Sequence, residues 1–286
     1  MTDSADEQWL SVRASLRAAA GRFADLVTSV GPHTMVTADW TAAETAAHVA
    51  AVASMYTVAL AEDAAARRLN DRIAGVTIDT VAHFNTATLN EFTQRDPHAL
   101  AAGLRSDVDR ILDITDGGDA HRPLPWLGDS RVPLGGVLAH LTNELAIHGW
   151  DIARVVRRRW PMPGLAAGLF FDLFLVGMIR NDVGRMLDDS PPPSERRIAV
   201  AFRSRHTRPV TLVLHRGRVS TEEPGGPVDT RISFDPPTLN LMLFGRVSRL
   251  RAAATGRLFV SGRRPWLLPE FLRTVRLPTN SAPLTV

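Results

Sequence analysis

Across one short stretch of this 286-residue chain, "DDSPPPSERR" (Asp188–Arg197), the hydrophobic period changes, and that change limits the fold more than any other feature. Three consecutive prolines lack N–H donors and have a fixed φ, so the stretch reads as an extended linker. Before it, apolar residues recur at helical spacing. After it, they fall in short runs such as "IAVAF", "VTLVLH" and "TRISF" that read as strands. The expected fold class is therefore a two-domain α + α/β protein, with a helical bundle over residues 1–189 and a small α+β domain over 198–286.

Within the first part, residues 5–30 read as an amphipathic helix with Trp9, Leu16, Phe23 and Leu26 apolar. Thr41 and Glu44 have capping-box spacing, and the Pro- and Gly-free run behind them to Asn70 reads as one long helix. "TIDTVAHFNTATLNEFTQR" follows as a helix, and Asp96-Pro97 opens another as N-cap and N1, ending about Thr115. Residues 116–132 read as a loop, and two more helices carry "HLTNELAIHGWDIAR" (His140–Arg154) and residues 164–187. Beyond the linker, "GRLFVSG" adds a strand, and "PPTLNLMLFG" and "PWLLPEFLRTV" add helices.

Composition removes several chemistries. The chain has no cysteine, so a disulfide, a thiolate metal site and a protein thiol nucleophile are all excluded, and any sulfur chemistry must use a cofactor's thiol. The longest apolar stretch, "LAAGLFFDLFLVGMI", is interrupted by Asp172, so a cytoplasmic protein without a membrane partner is expected. All 33 basic residues are arginine, and they are unevenly placed: residues 1–195 carry 17 against 25 acidic residues, and residues 196–286 carry 16 against 5. A basic C-terminal part attracts anions, whether carboxylate substrates, nucleic acid or its own acidic neighbour.

Glu144 and His148 share a helix face with Leu141, Leu145 and Ile152, so both point inward. A buried carboxylate needs a partner, and a carboxylate with an imidazole at i, i+4 suits zinc or another borderline divalent ion. His140 lies eight residues from His148, about 12 Å along the axis, too far to share that ion. His48, in an inward stripe with Val52, Met55 and Tyr56, is the natural third ligand from another helix.

"WTAAETAAHV" (Trp40–Val49) together with "HLTNELAIHGWDIAR" resembles the metal-binding signature of DinB-like four-helix bundles, specifically the mycothiol-dependent maleylpyruvate isomerase family. "TRISFDPPTLNLMLFGRVSRLRAAATGRLFVSGRR" is similar to the sterol-carrier-like α+β domain appended in that family. The resemblance implies a zinc ion on His48, Glu144 and His148, mycothiol as thiol cofactor and a small-molecule electrophile as substrate. It also implies an arginine from the C-terminal domain; Arg246 is the pick for a catalytic role, with Arg231, Arg249 and Arg251 competing. Trp150 and Asn143 are the candidates for cofactor contact, with packing as the competing role for Trp150, and Asp151 could orient a ligand.

The leading expectation is a mycothiol S-transferase, with a maleylpyruvate-type cis-trans isomerase as the alternative. A nucleic-acid-binding or lipid-binding protein is the reading from another class. Nucleic acid is disfavoured because the arginines are not interleaved with many aromatics. A homodimer is compatible with the sequence.

Overall fold

The computed structural model describes residues 2–187 and 195–276. Most of the expected linker, residues 188–194, lies outside the described residues. The helical part contains α1 (Thr2–Thr28), α2 (Ala42–Leu60), α3 (Ala64–Ile73), α4 (Val81–Glu91), α5 (Pro97–Ile114) and α6 (Leu134–Val155). Four of these, α1, α5, α2 and α6, form a ring in which each packs on two neighbours. Val12, Leu16, Ala19 and Phe23 of α1 meet Leu104, Val108 and Ile111 of α5 and Leu138, Leu141 and Leu145 of α6 in one buried core. The apolar stripes read from the sequence are the faces that meet.

Local chemistry sets the helix ends. Glu44 N–H donates to Thr41 Oγ1 at 3.2 Å while Thr41 N–H donates to Glu44 Oε2 at 2.8 Å, completing the capping box at α2. Asp96 accepts from Ala99 N–H at 2.8 Å ahead of Pro97, as the sequence predicts for α5. The long helix expected to Asn70 is instead broken. Glu62 takes a positive φ of 56°, and Asp63 starts α3 by accepting from the Ala65 and Ala66 N–H groups at 2.8 and 3.0 Å. An aspartate cap has replaced the missing glycine or proline as the breaker.

The expected loop over 116–132 contains a short antiparallel hairpin, β1 (Pro123–Pro125) with β2 (Arg131–Pro133), in which Leu124 pairs with Val132. The last helix of this part is shorter than 164–187. It comprises α7 (Gly164–Leu169), a π-helical turn over Phe170–Leu175 and α8 (Val176–Asn181), after which the chain turns back so that Arg131 N–H donates to Asp182 O at 2.8 Å. By length and composition Gly164–Asn181 could cross a membrane, but here it is an internal strut. Phe170 and Phe174 face the bundle core, and Phe171 and Val176 face a second core under the sheet.

That sheet runs β5–β4–β3–β6–β7, from strands β3 (Ile198–Arg203), β4 (Val210–His215), β5 (Arg218–Glu222), β6 (Thr230–Phe234) and β7 (Leu258–Gly262). Only β3 and β6 pair in parallel. Its apolar face, including Val200, Leu212 and Ile232, is covered by Phe171, Leu239 of α9 (Pro236–Leu243) and Phe271 of α11 (Leu268–Thr274). α10 (Arg249–Ala254), capped by Ser248, lies between α9 and β7 in the chain.

Candidate metal centre

His48 on α2 and Glu144 and His148 on α6 come together because α2 and α6 are neighbours in the ring and present these residues on their facing stripes. The ligand atoms all lie within 4.8 Å of one another. His48 Nε2 is 3.3 Å and His148 Nε2 is 3.4 Å from the same Glu144 oxygen, Oε2. Two ligand atoms bound at about 2.0–2.1 Å to a tetrahedral ion sit roughly 3.3–3.5 Å apart. The observed separations therefore fit a divalent ion held by two imidazoles and one carboxylate. Both rings are 4% exposed, and the Trp40 ring packs on them at centroid distances of 5.0 and 6.1 Å.

A second layer fixes the ligands. His148 Nδ1 is 3.4 Å from Asp151 Oδ2, an ion-pair contact on the side of the ring away from Glu144. Fully buried Asp151 is held in turn by Arg246 from the sheet region, with Nε donating at 3.1 Å and Nη2 at 2.6 Å. Burial alone pulls the His148 imidazole down, but Asp151 and Glu144 outweigh it and push the pKa up to about 9. His48 stays below its usual value because burial outweighs its bond to Glu144. Burial opposes the Glu144 carboxylate, yet His148, His48 and then His140 hold it well below the usual range. Behind α6, the Trp160 ring lies against Gly149, where any Cβ would collide with it, and Trp160 Nε1 donates to Ala146 O at 2.9 Å.

On the other side of Glu144, His140 Nε2 is 3.6 Å from Oε1, and His140 Nδ1 is 2.8 Å from the hydroxyl of Tyr56, the sole tyrosine. Burial, and then Glu144, keep that hydroxyl protonated far above pH 10. Trp126 of the hairpin stacks on Tyr56 at 5.5 Å. Tyr56 and Trp126 carry no recognisable motif; the one available signal is that Tyr56 follows His48 by two helical turns on the same stripe. His48, Tyr56, His140 and Glu144 form one end of a cavity of about 570 Å³ that continues between the 164–181 helix and the sheet.

The other residues singled out from sequence sit elsewhere. Arg246 is buried on Asp151, with its Nη1 donating to Phe244 O at 2.6 Å, and is off the cavity wall. Asn143 is buried and accepts from Asn240 of α9 at 2.9 Å. Trp150 stacks under Arg154 at 5.2 Å, away from the ligands. Of the competing arginines, Arg249 lies on the cavity wall, whereas Arg231 and Arg251 do not.

Fold and site together define a helical-bundle protein with a candidate His–Glu–His metal centre beside a small α+β region. Residues 12–153 match the family described as the mycothiol maleylpyruvate isomerase N-terminal domain, and this helical region belongs to that family. Among solved structures, a mycothiol-dependent maleylpyruvate isomerase is 12% identical, with a TM-score of 0.49 over 88% of this chain and 92% of that one. A point mutant of that isomerase is 11% identical, with the same TM-score and coverage. No curated protein sequence matches the chain.

Proposed function

We propose that the chain is a zinc-dependent, mycothiol-using enzyme of the isomerase type, acting in the cytoplasm on a conjugated electrophile. The observation that carries this reading is the convergence of His48, Glu144 and His148 within 4.8 Å of one another, with His48 and Glu144 on a cavity wall, in a chain with no cysteine of its own. When bound, a divalent ion supplies the Lewis acidity that keeps a thiol ionised at neutral pH, and mycothiol supplies a nucleophile that adds reversibly to a conjugated double bond. The chain's own residues hold and shield that chemistry. Asp151 turns His148 so that Nε2 faces Glu144, and His148 and then Arg246 keep Asp151 ionised against its burial. Trp40 excludes water from both imidazoles. With Tyr56 donating to His140 Nδ1, the His140 Nε2–H faces Glu144 Oε1, which leaves a neutral imidazole at the reacting end of the cavity.

The family match over residues 12–153 favours the isomerase over the S-transferase that the sequence puts first. The test is turnover of a cis-configured conjugated carbonyl compound, with and without mycothiol, on zinc-loaded protein. Isomerisation that requires mycothiol and returns it unchanged is expected. One thiol consumed per product restores the transferase, and full activity without thiol removes the mycothiol reading.

A further inference from the structure

The polar groups that touch one another on the cavity wall cluster at one end. Away from His48, Tyr56, His140 and Glu144, the polar residues on its wall are Asn70, Asn85, Arg249 and Arg276, and Arg276 is paired with Asp79 at 2.7 Å. The remaining wall is aliphatic and aromatic, with Met55 and Trp126 near the polar end and Phe171, Ile232, Met242 and Phe271 toward the sheet. At about 570 Å³ the space falls in the range that takes a drug-sized ligand. A compact polycarboxylate would leave most of this wall in contact with water. At the reacting end it would also meet Glu144, while the nearby Arg246 has its guanidinium engaged by Asp151 and the Phe244 carbonyl.

We propose that the electrophile handled at this site is a conjugated carbonyl compound with a long hydrocarbon body. Its reacting end lies beside His48 and Glu144, and its body lies between the 164–181 helix and the sheet. This rests on the thiol-using reading above and adds the substrate class. Unlike the metal centre, the apolar part of the site is built jointly: α2, α6 and the hairpin supply one wall, and the sheet with α9 and α11 supplies the other. The sheet region thereby selects the substrate, while the bundle carries the reactive groups.

The experiment uses full-length zinc-loaded protein and two matched series, cis-configured conjugated enones and their unreactive saturated ketones, from about five to about twelve carbons. Calorimetric binding of the saturated ketones, read without thiol, should tighten about fourfold per added methylene until the cavity is filled. Met242→Glu, a change on the half-buried wall, should flatten that dependence. Affinity independent of chain length in the unaltered protein overturns the proposal, whether or not the variant folds. Enone turnover with mycothiol separates the two readings. Length-dependent binding with no thiol-dependent turnover overturns the thiol reading and leaves an apolar-ligand cavity. Thiol-dependent turnover with flat binding overturns the apolar substrate alone.

Discussion

On one side of the seam between bundle and sheet, buried polar groups bond directly: Arg246 to Asp151, and Asn240 to Asn143. On the other side the same two regions stand apart and enclose an apolar space. Apolar contact is non-directional and could settle in many arrangements, whereas a bidentate guanidinium–carboxylate pair tolerates few. The polar side therefore fixes how the sheet sits on the bundle, and that fixed seating holds the apolar side open. The same Arg246 that sets this seating also reaches the candidate metal centre through Asp151 and His148.

The strongest way to break the contrast is Arg246→Ala, which takes the bidentate guanidinium from buried Asp151 and leaves it only the 3.4 Å contact with His148. A loss of about 3–5 kcal/mol in denaturant unfolding is expected, together with weaker zinc binding. Adding Asp151→Asn should recover part of the stability without recovering the zinc affinity. Asn240→Ala should cost about 1–3 kcal/mol by orphaning the Asn143 carbonyl oxygen, with little change in zinc affinity. A comparable Asn240→Ala effect on zinc would mean that the polar side acts as one unit.

The next prediction concerns pH. The His148 pKa is raised in the metal-free fold, so its stabilising contribution is fully present below the unfolded value near 6.5 and is lost as pH rises through about 9. Zinc must displace the same proton, so affinity measured by chelator competition should rise about tenfold per pH unit, or about 1.4 kcal/mol, between pH 7 and 9. Metal-free stability and zinc affinity should thus move in opposite directions over one window. The smallest effect belongs to the apolar side: Met242→Ala should cost under about 1 kcal/mol, below the usual 2–5 for a packed core methionine, because the cavity already leaves that side chain partly uncovered.

Features set by neighbours in sequence are legible without a structure. The Thr41–Glu44 box and the Asp96-Pro97 start each depend on residues within three positions, and both form as read. The break at Glu62–Asp63 is hidden because the run holds neither Gly nor Pro, so the aspartate cap has to be weighed against strong helix formers around it. β5 escapes notice because an edge strand reading "RVSTE" presents a single large apolar residue. At the candidate centre, the i, i+4 pair on α6 and the stripe carrying His48 are periodic signals, and the structure brings the three side chains together. The Arg246–Asp151 bond joins residues 95 positions apart, and no spacing encodes it. The cavity is less legible still, since an unfilled volume between many separate stretches of chain leaves no period in any of them.

The helix over 164–181, with its π-helical turn, has a consequence during synthesis. Phe171 and Val176 leave the ribosome before any strand of the sheet that will cover them, and Phe271 of the same core comes about a hundred residues later. At translation rates of about 5–20 residues per second, that side of the helix is uncovered for roughly 5–20 s in every nascent chain. The bundle can close on Phe170 and Phe174 in that interval, so half of the helix is already seated while its other half still offers a sticky surface to chaperones and to neighbouring nascent chains.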